Sequence, residues 1–221
     1  MLAQTHITPG TANDFAGDLA PFAEQLGSPA GAEALGEVAA LLECPRLDDP
    51  AALGRFLGAY RDHVLAPVEL PAILKAHQHA SRFETRELVA FDQQLSLQPL
   101  LKPFTIASLN AGRHQLRRLR SLRDQRLVQR YLAAVESGEA GGWHTLVYGL
   151  TLAVYSLPLR QGLIAYAQQT LAGFANAAGR RLKLSESELS KLIDAATVPV
   201  PAAVEATLSN RAGEFSLRAV A

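Results

Sequence analysis

Cysteine is almost missing from this chain, and Cys44 has no second thiol with which it could pair. An intramolecular disulfide, a Cys-x-x-Cys metal site and a thiol relay are therefore excluded. A lone cysteine is compatible with a reducing compartment, and we expect the protein to be cytoplasmic. The first residues, MLAQTHITPGTANDFAGD, have neither a basic start nor an apolar centre, so no signal peptide is expected.

An excess of charge of either sign is also lacking, since 21 basic residues balance 21 acidic ones. A neutral chain has no general attraction for nucleic acid or anionic membranes. Seven arginines lie between positions 113 and 130, but helical spacing distributes them around the axis and no aromatic residue is interleaved. This favours solvated faces or ion pairs between helices over a surface for a protein partner, and it disfavours nucleic acid. The uncharged run at 145–159 is shorter than the roughly 20 residues of a membrane helix.

Sequence signatures of catalysis and of cofactor binding are absent as well. The chain has no phosphate-binding loop, no Gly-x-Gly-x-x-Gly, no His-Glu-x-x-His and no Gly-x-Ser-x-Gly. His77 and His79 are two positions apart, so on one helix they point about 200° apart and do not share an ion. We therefore predict that the protein is not an enzyme and that it has no catalytic residue, no cofactor and no metal site.

A helical pattern is what the sequence does contain. Apolar residues make up 48% and aromatic residues 6%, with Ala and Leu prominent, which favours helices packed through small aliphatic side chains. Prolines and capping residues predict helix starts near 29, 50, 67 or 71, 103, 185, and 199 or 201. No alternating strand pattern occurs. We predict an all-α, single-domain bundle of about nine or ten helices over residues 13–221, following a disordered segment at 1–12.

The region from Gly138 to Arg181 is the most informative part of the chain. Two uncharged stretches, 145–159 and 161–179, are separated by Leu-Pro-Leu-Arg. Apolar residues recur at helical spacing over 158–182, while the opposite face has Gln, Thr, Asn and Gly. This pattern predicts a buried central helix enclosed on most sides. Glycines inside these helices, such as Gly149, predict close approach of neighbouring helix backbones, because each would otherwise cost about 1 kcal/mol.

The order of motifs in this region resembles the urease accessory protein F (UreF) family. The sequence reads GGWHTLVYG at 141–149, then LPL at 157–159, Ala165-Tyr166, and AAGRRL at 177–182. Weaker agreement upstream includes Asp49-Pro50-Ala51-Ala52-Leu53, Glu69-Leu70-Pro71, Asp92 with Leu95, and Ser108 with Gly112. The resemblance extends over about residues 28–221. It departs from the family pattern at 20–25, at 184–190 and in the C-terminal tail, as in a divergent member of the family.

The resemblance implies a helical scaffold of the nickel-delivery complex. Such a protein forms a homodimer in the complex, binds the D/H-type urease accessory protein, recruits the G-type accessory GTPase, and serves the urease apoprotein. Nickel is handled by the complex and is not bound tightly by this chain. The 184–190 region and the tail belong to partner-binding surfaces in the family.

The resemblance also suggests which residues contact partners. Arg180 and Arg181, at the exit of the long helix, are expected to meet the GTPase, while His144 and Tyr148 are expected either to pack or to contact a partner. The last helix and tail are expected to bind the D/H-type protein through Glu205, Arg211, Glu214, Phe215 and Arg218. Two alternatives remain at this stage: a helical adaptor unrelated to nickel, and an enzyme or small-molecule binder with a site between helices.

Overall fold

A computed structural model describes residues 29–210 of the chain, with side-chain environments from residue 34 onward. Within this range the chain forms ten α-helices and no strand. The helices are α1 (Pro29–Leu41), α2 (Pro50–Tyr60), α3 (Leu70–Ser81), α4 (Thr85–Leu95), α5 (Thr105–Arg118), α6 (Arg126–Ser137), α7 (His144–Val154), α8 (Leu159–Leu182), α9 (Glu186–Thr197) and α10 (Val200–Ser209). The all-α prediction is confirmed, whereas the segment predicted to be disordered, 1–12, lies outside the described residues.

Helix starts follow the local chemistry that the sequence predicted. The Asp49 side chain accepts a hydrogen bond from the Ala52 amide, with Pro50 in the first turn of α2. Ser185 and Glu188 form a capping box at the start of α9, in which each side chain bonds to the backbone of the other residue. These contacts satisfy amide groups that a helix start would otherwise leave unpaired.

The chain does not break at Pro67, which was one of two predicted start points for the third helix. Instead, a π-helical segment, Arg61–Glu69, joins α2 to α3 without interruption. Proline has no amide hydrogen, and in an α-helix its ring would clash with the carbonyl four residues back. The wider π turn accommodates it, and the Leu70 amide bonds to the Leu65 carbonyl, five residues back.

The central helix of the bundle is α7. Its residues from His144 to Leu152 are all buried, and both α3 and α5 pack against it. A side-chain carbon at Gly149 would lie 2.4 Å from the Ile73 carbonyl oxygen, so the predicted close approach of backbones occurs here. The longer α8 is enclosed on most sides by α2, α9 and α10 but keeps a narrow exposed stripe.

Aromatic side chains connect three elements in the core. The rings of Tyr60 and Phe174 are 4.6 Å apart and nearly perpendicular, and Phe104 stacks on Phe174 at 5.4 Å. These residues come from α2, α8 and a 3-10 turn, Pro99–Phe104, that precedes α5. Edge-to-face and offset-stacked rings contribute about 0.5–1.5 kcal/mol each beyond their buried area. The cluster therefore fixes α8 against the N-terminal half of the bundle.

Candidate partner-binding site

A buried carboxyl group organises the segment that enters α7. Along α4, Asp92 falls on the same face as Leu88 and Leu95, and it is fully buried. Its oxygens accept hydrogen bonds from the Tyr131 hydroxyl at 2.5 Å and from the amides of Gly141, Gly142 and Trp143 at 2.5, 3.0 and 3.3 Å. Burial is the largest cause that raises the pKa of Tyr131 well above its ordinary value, and the nearby Asp92 is the second. Tyr131 therefore remains a proton donor to Asp92.

The turn held by Asp92 lies directly against α5. A side-chain carbon at Gly112 would be 2.1 Å from the Gly142 carbonyl oxygen and 2.8 Å from the His144 amide nitrogen. Ser108, one turn earlier on α5, accepts a hydrogen bond from the His144 amide at 3.2 Å. Four of the places that carry the resemblance, Asp92, Ser108, Gly112 and the glycines at 141–142, thus meet at one contact, and its role is structural.

His144 and Tyr148 lie in the core, with 1% and 4% of their surface exposed. The His144 ring stacks on Tyr166 at 5.9 Å, and the Tyr148 hydroxyl donates to the Gly162 carbonyl at 3.0 Å. Burial lowers the pKa of His144 to about 4, so the imidazole is neutral at physiological pH. Of the two roles left open for these residues, the geometry favours packing between α7 and α8.

Glu69, at the end of the π-helical segment, is a second buried carboxyl group. Its burial was not predicted from the sequence. It is 4% exposed, and the Tyr166 hydroxyl donates to its Oε1 at 3.4 Å. Burial raises the pKa of Glu69 to about 7, although hydrogen bonds from Tyr60 and Tyr166 act in the opposite direction. The group can exchange a proton near neutral pH, but it does not face solvent. Its neighbours Val68 and Leu70 gave the only sequence signal of burial.

The exit of α8 is the exposed part of the predicted site. Arg180 and Arg181 are both exposed, in the last turn of the helix. The Arg181 guanidinium donates to the Leu47 carbonyl at 2.9 Å and so ties α8 to the loop before α2. Arg180 presents its positive charge at the surface, where the helix ends at Lys183 in the left-handed region, with φ 54°. Basic residues in a last helical turn also compensate the partial negative charge of the helix end.

Glu205 lies far from these arginines. On α10, its carboxylate pairs with Arg160 at 2.8 Å, and Arg160 is in the first turn of α8. The twenty residues from Arg160 to Arg180 span about 30 Å of helix. Arg211, Glu214, Phe215 and Arg218 lie outside the described residues. The predicted contact residues are therefore divided between two ends of α8 and the core.

Two further properties concern only the described part of the chain. Among residues 29–210, no three His, Cys, Asp or Glu side chains come together in a group that could hold a metal ion. Over the same residues, none of the helices has both the length and the apolar character needed to cross a bilayer.

Comparisons with known proteins identify the family. The UreF family model matches residues 47–197, which includes α2 through α9 and leaves out α1 and α10. The match is narrower than the resemblance over about 28–221, because it does not include either end. A search of curated proteins finds none that matches. The chain therefore belongs to the UreF family, and its role is that of a urease accessory protein that interacts with other accessory proteins of urease.

Proposed function

We propose that this protein is a non-enzymatic scaffold of the nickel-delivery complex, in which it recruits and regulates the accessory GTPase during urease maturation. The observation that carries the proposal is the family match over residues 47–197. The role requires a rigid body with exposed contact points, and binding energy that favours one conformation of the partner. A bundle whose central helix is buried from His144 to Leu152 supports such a rigid body.

The proposed GTPase contact is the exit of α8. Arg180 is exposed there, and Arg181 is oriented by its bond to the Leu47 carbonyl. Arginine is frequent among the residues that dominate protein interfaces, because its planar group forms several hydrogen bonds to carboxylates. Nickel is cargo in this proposal and passes through the complex without a tight site on this chain.

The proposed contact for the D/H-type accessory protein is α10 and the tail that follows it. The other proposed features are a homodimer within the complex, delivery to the urease apoprotein, and a cytoplasmic location. The ion pair between Arg160 and Glu205 supports two separate contact sites. It links α10 to the start of α8, about 30 Å from the proposed GTPase contact at Arg180. Both partners can then bind at the same time.

Complementation tests the scaffold role directly. A urease gene cluster that lacks its own F gene is expressed with and without this chain, and the nickel content and activity of purified urease are measured. We expect the chain to restore both quantities. Urease that stays nickel-free while this chain is soluble and associated with other proteins would favour an adaptor unrelated to nickel.

Two variants test the assigned contacts. Arg180→Ala should weaken GTPase binding about tenfold, whereas Arg117→Ala, an exposed arginine in the last turn of α5, should leave it unchanged. Deletion of 211–221, which preserves α10, should abolish co-purification of the D/H-type protein without a change in thermal stability. Wild-type affinity in Arg180→Ala, or unchanged co-purification after the deletion, would remove that contact from the proposal.

A further inference from the structure

A groove between α4 and α6 has no role in the proposed function. The two helices lie side by side, and the Gln93 side chain of α4 donates to the Glu139 carbonyl just after α6, at 2.9 Å. The space between them is about 520 Å³. Val89 and Ala134, each 7% exposed, also line the groove, and as small buried apolar residues they form its floor. The groove can therefore accept an apolar side chain from a further segment.

The rim of this α4–α6 groove carries a net positive charge. Arg86 on α4 and Arg130 on α6 are exposed and line it. Neither guanidinium pairs with a carboxylate among residues 34–210, whereas Arg120 pairs with Glu136 and Arg160 pairs with Glu205. Arg130 also ends a stretch, 113–130, that has seven arginines and one acidic residue, Asp124. The groove thus offers two basic groups and one acidic group, the exposed Glu139, beside an apolar floor.

The complementary chemistry occurs in the chain itself. Residues 1–28 contain three acidic residues and neither lysine nor arginine, although the whole chain has 21 of each charge. In the sequence DFAGDLAPFAE at 14–24, acidic and large apolar residues alternate: Asp14 precedes Phe15, Asp18 precedes Leu19, and Phe22 lies two positions before Glu24. The C-terminal residues 211–221 do not have this character, because Arg211 and Arg218 outnumber Glu214.

The length of the chain permits contact. Ten residues separate Asp18 from Ser28, and an extended segment of that length spans up to about 35 Å. A domain of this size has a radius of gyration of roughly 17 Å, so a tether of that length reaches about half of its surface.

We propose that the segment Asp14–Glu24 of this chain docks into its own α4–α6 groove. Its carboxylates meet Arg86 and Arg130, and one of its apolar side chains covers Val89 and Ala134.

Hydrogen–deuterium exchange of the full-length protein tests the docking. At low salt and low protein concentration, amides of residues 14–24 should exchange at least about fivefold more slowly than in a free peptide of the same sequence, because paired charges and apolar contact hold the segment. Arg86→Glu with Arg130→Glu should remove this protection. The matched control, Arg117→Glu with Arg123→Glu, makes the same change of charge at exposed positions outside the groove and should retain it.

A charge exchange makes the test specific. Adding Asp14→Arg and Asp18→Arg to the groove variant should restore protection, and 0.5 M salt should weaken it in the wild type. Free-peptide exchange rates in the wild type, or equal loss in the groove variant and its control, would overturn the proposal. Protection that disappears on dilution would also overturn it, since the segment would then come from a second copy. None of these readouts depends on urease, so they fail independently of the proposed function.

Discussion

The segment that enters α7 and the segment that leaves α8 both contain residues that match the family pattern, but they differ in burial and in what holds them. At the entrance, Asp92 is fully buried and accepts four hydrogen bonds from Tyr131 and the 141–143 turn. At the exit, Arg180 and Ser185 are exposed, and the capping box uses only local contacts. The entrance therefore contributes buried polar contacts to the core, whereas the exposed positions Arg180 and Ser185 at the exit can change in sequence with little effect on it.

The largest expected effect is at the entrance. Asp92→Ala should lower the free energy of unfolding by about 4 kcal/mol, because it leaves the Tyr131 hydroxyl and buried amides without an acceptor. Asp194→Ala, at an exposed position on α9, should change it by less than about 0.5 kcal/mol. Urea denaturation of both variants measures the difference. Equal stabilities of the two variants would show that the entrance is not held by Asp92.

A pair of glycine substitutions examines the same contact from α5. Gly112→Ala should destabilise the protein by about 3 kcal/mol, because the new methyl group meets the Gly142 carbonyl at 2.1 Å. Gly58→Ala, inside α2 with no atom within 4 Å of the new methyl group, should stabilise it by about 1 kcal/mol. Thermal unfolding of the two variants measures the predicted loss of stability in one and the predicted gain in the other. A stabilised Gly112→Ala variant would contradict the close contact of α5 with the turn.

The interior can also be probed by pH. The pKa of Glu69 is raised to about 7, so its protonated form is favoured in the folded state, and its contribution to stability falls as pH rises from about 4.5 to about 7. The pKa of His144 is lowered to about 4, so its contribution rises with pH between about 4 and about 6.5. The two trends oppose each other over most of this range.

Glu69→Gln removes the contribution of Glu69, so the stability of the variant should follow the pH dependence that His144 causes. Relative to the wild type, the variant should gain roughly 3 kcal/mol between pH 4.5 and pH 8. Denaturation in urea at several pH values measures this gain. A difference between variant and wild type that does not depend on pH would show that Glu69 titrates normally.

The smallest effect is expected at the exit of α8. Ser185→Ala removes the side chain that accepts from the Glu188 amide at 3.3 Å, and it should cost about 1 kcal/mol. Ser187→Ala, an exposed neighbour in the first turn of α9, serves as the control. Because the capping contacts are local and exposed, amide exchange in α7 should not change in either variant. Faster exchange in α7 of Ser185→Ala would mean that the two ends are coupled.

Much of the fold could be predicted because its signals are local. Pro50, Ser185 and the Leu-Pro-Leu sequence before Arg160 mark helix ends through the chemistry of a few neighbouring residues. Pro67 was misleading because the widening to a π turn depends on packing of the whole segment, where Val64, Leu65 and Val68 are all buried. Periodicity indicated that α8 would be enclosed, but it did not indicate that the shorter α7 is the more deeply buried helix.

The site was less predictable, since contacts between distant residues decide it. Asp92 and Tyr131 are 39 positions apart, and only the apolar spacing of Leu88 and Leu95 around Asp92 indicated that it faces inward. Arg180 is exposed, as a contact residue must be, but its partner remains a prediction. His144, like Arg180, lies in a motif that carries the family resemblance. It is buried because α3 and α5 pack against α7.

The position of Trp143 has a practical consequence. It is the only tryptophan, 2% exposed, and its indole nitrogen donates to the Ser96 hydroxyl at 2.9 Å. All indole fluorescence of the protein therefore originates at the junction of α4 with the start of α7. Its emission wavelength is an intrinsic optical reporter of that junction, so a partner that loosens it would produce a red shift without any added label.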